Sequence, residues 1–354
     1  MLIYIILVII ILILPMLKVD KKKYCIIIGV LMTCIIGFRS IEMGMGDTKE
    51  IYISIFDQLA SLSLRESFNF IRECDIEIVF YFLTRLYLVI TNNARIYIFL
   101  LSIPLNFSIS RFIYKYSKTP SISFIMFLSL NYFGFSFTLI RHCISLAILI
   151  YSYDYIYKKD FKKFMLTVFI AGLFHRTAWI FFIAYPIANK FKIGIKNIII
   201  PLVVAIFAYL VGDKILLALS YFIKSEHYMQ YFTIRKNTIT FFLINFSMLI
   251  FILYIAKKSN KNEKYEILKQ QINLMTIGTS IASCMVFLSE MFRISTFFTI
   301  YSITLLPNVI ALIKNKKIRL MMIIILYIIY IVYFFAFSMK NNEIYPYILG
   351  GWKR

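Results

Sequence analysis

The stretch KNKKIRLMMIIILYIIYIVYFFAFS (314–338) opens with four basic residues among its first six and continues with nineteen that carry no charge. A helix of roughly 20 apolar residues crosses a hydrocarbon core of about 30 Å, and a basic flank marks its cytoplasmic end. Outward from this stretch the same pattern recurs. Apolar blocks fall at 2–17, 24–38, 76–91, 96–113, 121–138, 142–157, 164–175, 178–189, 197–213, 241–256, 272–288, 294–313 and 320–338. Between them lie the basic runs Lys18–Lys23, Lys158–Lys163, Lys190–Lys196, Lys257–Lys269 and Lys314–Arg319, which are expected to face the cytoplasm. The 354 residues are 61% hydrophobic and 16% charged, against roughly 45–50% and 25% in soluble domains. Lipid offers backbone groups no partners, so only helices or closed barrels span it, and the alternation of barrel strands is absent. The expected fold is all-α: a polytopic transmembrane helical bundle of about 12–13 segments, with residues 1–354 forming a single transmembrane domain.

The formal charge of +22 could suggest nucleic acid, but most of the surplus sits in short loops between blocks, where it orients helices. No nucleic-acid partner is expected. Cys25, Cys34, Cys74, Cys143 and Cys284 show neither CxxC nor Cys/His spacing and read as small core residues. Leu2 to Leu17 lacks a basic leader and a small-residue cleavage site, so it is expected to be a retained first helix. Residues 39–75 form a non-cytoplasmic loop in which Ile51, Ile55, Phe56, Leu59 and Leu62 fall near helical spacing, as in a helix lying in the interface. Parity raises one conflict. About five blocks lie between Lys23 and Lys158, whereas two cytoplasmic ends need an even number of crossings. One block is therefore broken or re-entrant, and 96–113, which holds Pro104 and Arg111, is the first suspect; otherwise Lys115 and Lys118 lie outside.

A charge at a helix centre costs roughly 2.5–3.5 kcal/mol, so each needs an explanation. Lysines in the loops have one. Those left over are Arg39, Asp47, Glu77, Arg85, Arg141, His142, His175, Arg176, Arg235, Glu290 and Arg293. Arg39 and Asp47 follow a helix through the glycines of 37–46, which allow a tight turn and close approach of a ligand; Asp47 also suits an ordinary helix N-cap. Arg141 stands between two apolar stretches at the end opposite Lys158, where a membrane anchor is out of place and a guanidinium suits phosphate oxygens. His175 could serve as a general base, hold a phosphate, or bridge helices by a hydrogen bond. Glu290 and Arg293 are spaced for a local ion pair. HExxH, DxD, Walker A, GxGxxG and GxSxG are missing, so no metal, nucleotide or other cofactor is expected.

In order along the chain, Phe38-Arg39-Ser40 with Gly44, Gly46, Asp47, Thr48 and Tyr52, then Glu77, Ile140-Arg141-His142 with Ala147, Phe174-His175-Arg176-Thr177-Ala178, Arg293 and Tyr345-Pro346-Tyr347 resemble the EpsG family of Wzy-like polysaccharide polymerases. The likeness runs from about residue 37 to 348. His142 stands where that family more often shows Gln, and Thr177 where Ser is usual.

The resemblance implies a GT-C-like enzyme of the bacterial cytoplasmic membrane with its active site facing outside. There it would join polyprenyl-diphosphate-linked oligosaccharide units, as donor and acceptor, into surface polysaccharide, alongside other polysaccharide-assembly proteins. Cations would hold the leaving diphosphate, with Arg141, Arg293 and Arg39 as candidates and Tyr52, His142, Arg176 and Glu290 as further substrate-binding residues. The acceptor hydroxyl needs a base, first Asp47, then His175 or Glu77. Two other classes compete: a flippase or transporter of lipid-linked oligosaccharides, and a related membrane ligase or sugar-modifying transferase.

Overall fold

The computed structural model describes residues 1–40, 48–74, 76–222, 239–257, 263–341 and 344–350. In chain order the α-helices are α1 (Leu2–Ile13), α2 (Lys21–Gly37), α3 (Ser54–Ser61), α4 (Leu64–Glu73), α5 (Ile78–Ile90), α6 (Ala94–Tyr116), α7 (Pro120–Ser129), α8 (Tyr132–Thr138), α9 (Ile140–Tyr157), α10 (Phe161–Phe174), α11 (Ala184–Lys190), α12 (Lys196–Phe222), α13 (Ile239–Ala256), α14 (Glu263–Ser283), α15 (Met291–Thr299), α16 (Ser302–Ile310) and α17 (Lys316–Tyr333). Among the described residues every regular element is helical, apart from one isolated bridge between Arg39 and Leu349. Ala94–Tyr116, Lys196–Ala218, Ile239–Ala256 and Lys316–Ser338 are long and apolar enough to cross a membrane singly. Pro120–Ser129 and Tyr132–Thr138, bent by 50°, qualify together as a broken span. The protein is thus a polytopic helical membrane protein.

The chain forms two compact units, Met1–Tyr153 with Met165–Trp179 and Leu320–Arg354, and Asp154–Phe164 with Ile180–Arg319. In the first unit α2 and α6 run antiparallel over their full length. Asp20 caps α2 by accepting from Lys22 N and Lys23 N, and Asn93 caps α6 by accepting from Arg95 N and Ile96 N. At one end Lys21 Nζ donates to Ser117 O at 2.7 Å; at the other, Gly37 lies against Phe99. The close approach needs glycine, since a Cβ on Gly37 or Gly29 would collide with Phe99 or Ser110. The lysine-rich ends of α2 and α6 therefore coincide, and Lys115 shares the end of Lys21. Tyr116 and Phe112 of α6 pack on Tyr153 of α9, which brings the far end of α9 to this same basic end and its start, Arg141, to the opposite one.

One expectation about an individual block is corrected. α6 continues unbroken through Pro104. The carbonyl that Pro104 leaves without its helical donor is that of Leu100; Ser102 and Asn106 add side-chain hydrogen bonds to the neighbouring carbonyls of Phe99 and Ser102. The break falls between α7 and α8, where Asn131 adopts φ 68°, a left-handed conformation that asparagine tolerates. The block 76–91 is shorter than its hydropathy suggests. It becomes α5, 13 residues long, whose two ends both lie among residues of the non-basic end: Glu77 beside Arg141 and His175, Thr84 and Tyr87 beside Tyr97 in the first turn of α6. Between Lys23 and Lys158 the helices long and apolar enough to cross are Ala94–Tyr116 and, taken together, the bent pair Pro120–Ser129 and Tyr132–Thr138.

Around α5, residues Thr48–Ile53 form a π-helical turn that leads into α3, and Ser63 and Glu66 form a capping box that starts α4. Arg85 on α5 donates to the carbonyls of Leu59, Leu62 and Ser63, tying off the α3–α4 turn, which accounts for a charge the sequence leaves open. The chain's last described residues strap this end together: Tyr4 Oη donates to Ile344 O, Tyr347 Oη to Ile35 O, Ser40 N to Ile348 O and Gly350 N to Phe38 O. In the second unit α14 is the hub, packed by α11, α12, α13 and α15. Its Asn273 and Thr276 accept from Asn197 of α12, and its Gln270 donates to Asn189.

Candidate active site

Three chain segments far apart in sequence meet at the non-basic end of the first unit. Glu77 ends the approach to α5, Arg141 is the second residue of α9, and His175 follows the last residue of α10. The meeting is set by helix packing, since Ser145 of α9 donates to Ala171 O of α10 at 2.7 Å, which aligns their ends. Glu77 is the centre. Its Oε2 lies 2.5 Å from Arg141 Nη1, and its Oε1 lies 3.4 Å from His175 Nδ1 and accepts from Arg176 N at 3.3 Å. Tyr52 packs on Phe80 and turns its hydroxyl toward Arg141, accepting from Arg141 N at 3.4 Å, with the guanidinium 5.9 Å from its ring. His142, next along α9, meets His175 edge to face, ring centres 5.6 Å apart.

Burial opposes ionisation of Glu77, whose side chain is 8% exposed, but contact with the His175 imidazole and the charge of Arg141 outweigh it and bring the carboxyl down to about 2. Glu77 is therefore a carboxylate at any physiological pH. A group so acidic is a poor proton acceptor, and what it can do is hold two neighbours in place. His175 presents Nδ1 to the carboxylate at 3.4 Å, and a proton on that nitrogen would leave the lone pair on Nε2. Among the described residues no hydrogen-bond partner reaches His175 Nδ1 or Nε2, Arg141 Nε or Thr177 Oγ1, all of them buried, though buried polar atoms elsewhere in the chain share that state. Those at this site are placed to bond a ligand.

A cavity of about 380 Å³ opens beside the cluster, with Glu77 in its wall together with Arg72 of α4, Arg176, Phe68, Leu173 and Trp179. Gly172 is what admits the tryptophan, because a Cβ there would fall 2.5 Å from the indole. Trp179 also meets Phe169 edge on at 5.3 Å. The cavity thus joins two guanidinium side chains, an acid and aromatic surface, a lining suited to an amphiphile with an anionic head and to sugar rings.

Of the residues singled out from sequence, Tyr52, Glu77, Arg141, His142, His175 and Arg176 come together here. Arg39 is set by other contacts: it is buried, lies 5.0 Å from the Phe137 ring one turn before Arg141, and is held by the backbone bridge to Leu349. Glu290 and Arg293 form their ion pair, Nε to Oε2 2.8 Å, within the second unit. Asp47 and Arg235 lie outside the described residues. Arg72 and Trp179 escape a sequence reading, Arg72 because an arginine on an amphipathic interfacial helix is ordinary and Trp179 because an aromatic in an apolar block is too.

No curated protein and no solved structure matches the chain. The family model described as "EpsG family" matches residues 22–349, nearly the whole chain, so this exopolysaccharide-related membrane protein belongs to the EpsG family.

Proposed function

We propose that the protein is a polysaccharide polymerase that joins polyprenyl-diphosphate-linked oligosaccharide units at the non-cytoplasmic face of the bacterial cytoplasmic membrane. The observation that carries the reading is the Glu77–Arg141–His175 cluster beside a cavity that offers further arginines and aromatic walls. In the reaction, a hydroxyl oxygen of the acceptor unit bonds to the anomeric carbon of the growing chain. The bond from that carbon to the carrier's diphosphate oxygen breaks, and the electron pair leaves with the diphosphate. Its developing charge needs fixed cations, which Arg141, Arg176 and Arg72 supply, each such donor being worth about 10²–10³ in rate. The hydroxyl proton passes to His175 Nε2, a step worth about 10²–10⁴. Glu77 acts through its neighbours, orienting the imidazole and anchoring Arg141. Asp47, with Arg39 and Arg293, remains a candidate through the family resemblance. The activated donor supplies the energy, so the reaction calls for no nucleotide.

The test is chain length. In cells that depend on this protein, His175→Ala and Arg141→Ala should each reduce long polysaccharide at least 100-fold and leave single repeat units on the carrier. Full-length polymer from both variants overturns the assignment. Purified protein in vesicles separates the competing classes: lengthening of labelled lipid-linked units marks a polymerase, movement across the bilayer without lengthening a flippase, and transfer of one unit to a different acceptor a ligase.

A further inference from the structure

A second cavity, of about 440 Å³, lies between α2 and α6 and shares no lining residue with the one beside Glu77. Its walls are apolar, with Ile26, Val30, Ile103 and Phe107 all exposed on the molecule's outer surface, as for a groove open to hydrocarbon. Its floor is the contact of Gly29 with Ser110. Ser110 is buried, lines the groove, and its hydroxyl has no hydrogen-bond partner among the described residues. The end of the groove nearest Lys21 is cationic. Lys22 and Arg111 both line it, the Arg111 guanidinium also lying 4.4 Å from the Tyr151 ring, and no acid lines it; the nearby Asp20 carboxylate is engaged in capping α2 through Lys22 N and Lys23 N. Tyr114 stands between them, with Lys21 Nζ 5.7 Å from its ring. A long apolar trough ending in two cations at the basic end of the helices has the form of an anionic lipid's tail and head. Basic pockets between membrane helices on the cytoplasmic side are where such head groups bind.

We propose that this groove is a binding site for an anionic phospholipid of the cytoplasmic leaflet, one acyl chain lying along Val30, Ile103 and Phe107 and the phosphate between Lys22 and Arg111. The site is separate from the Glu77 cluster and stands whether or not the polymerase reading does. Occupied, it would brace the α2–α6 pair at the end opposite the reaction.

The experiment is native mass spectrometry and thermal unfolding of the full chain in detergent, with phosphatidylglycerol or phosphatidylcholine of the same chains added. Wild type should retain and be stabilised by phosphatidylglycerol at concentrations at which phosphatidylcholine gives at least tenfold less. Lys22→Gln with Arg111→Gln should weaken phosphatidylglycerol binding roughly 10- to 30-fold and leave phosphatidylcholine unchanged. Val30→Trp, which fills the trough from an exposed position, should weaken both lipids. Unfolding without added lipid should match wild type in Lys22→Gln and Val30→Trp, and Lys22→Gln alone should weaken phosphatidylglycerol binding in the same direction as the double variant, which separates lost binding from the loss of the Arg111–Tyr151 contact. Equal retention of the two lipids, or unchanged phosphatidylglycerol binding in the double variant, overturns the proposal. So does equal stabilisation by glycerol phosphate, which has the head group and no tail. Disulfide-linked dimers from Val30→Cys in bilayers would instead make the occupant a second copy.

Discussion

Glu77 receives two cationic or proton-bearing partners and a backbone N–H while nearly all of its side chain is out of solvent. Removing the negative charge without changing the shape, as Glu77→Gln does, strands the Arg141 guanidinium in a site that is itself largely buried. Breaking a buried pair from one side costs about 3–5 kcal/mol, and Arg141, partly exposed, should fall at the low end. Thermal unfolding of the purified protein should show Glu77→Gln clearly destabilised at pH 7, and Glu77→Gln with Arg141→Gln recovering much of the loss. The sign with pH follows from the depressed carboxyl. Its contribution is whole above the ordinary value of 4.5 and disappears as pH falls toward about 2. The gap between wild type and Glu77→Gln should therefore stay constant from pH 7 to 5 and close on further acidification; a gap that closes already between pH 7 and 5 contradicts the ionised carboxylate. Sequence alone made Glu77, Arg141 and His175 visible, since charges set against apolar blocks demand partners. Which partner each has was not legible, because the contacts span 64 residues from Glu77 to Arg141 and 99 from Glu77 to Arg176.

At the scale of elements, the glycine at 172 is where α10 turns local sequence into cavity shape. Gly172→Ala places a methyl group against the Trp179 indole, and the ring must move along the cavity wall or α10 must shift, an overpacking cost of about 1–3 kcal/mol. If Trp179 stacks on a sugar or carrier, this change should raise KM for the lipid-linked unit several-fold while kcat falls less, and Trp179→Phe should behave alike. A loss confined to kcat would place the effect on the His175 side instead. The helices themselves were largely legible from hydropathy, and the errors have physical causes. Pro104 reads as a break because proline lacks an N–H, yet the loss is confined to one helical bond, at Leu100 O, and the helix runs on through it. Asn131 gave the weaker signal and carries the real bend. For α5, an apolar run of 13 residues reads alike whether it crosses or packs against neighbours; Glu77 just before it meets Arg141 and its Thr84 meets Tyr97.

At the scale of the whole molecule, those contacts predict a topology in which α5 stays on one side, and it can be measured without any substrate. With α5 kept to one side, the turn at Asn92 and the start of α4 at Leu64 share a face, while Lys22, Lys118 and Lys158 share the other. If α5 crossed, Asn92 would move to the lysine face and α6 would have to run the opposite way, which the hydrogen bond from Lys21 to Ser117 and the packing of Gly37 on Phe99 forbid. Single cysteines at these five positions, in a background with the native cysteines changed to serine, should divide cleanly under a membrane-impermeant thiol reagent applied to intact cells. Leu64→Cys and Asn92→Cys should react from outside, and Lys22→Cys, Lys118→Cys and Lys158→Cys only after the cells are opened. The same division carries the sidedness of the Glu77 cluster, because Glu77 lies between Leu64 and Asn92 in the chain and Arg141 begins the helix that ends at Lys158. Labelling of Asn92→Cys only in opened cells would return α5 to the bilayer and put the cluster at the wrong depth for a reaction outside the cytoplasm.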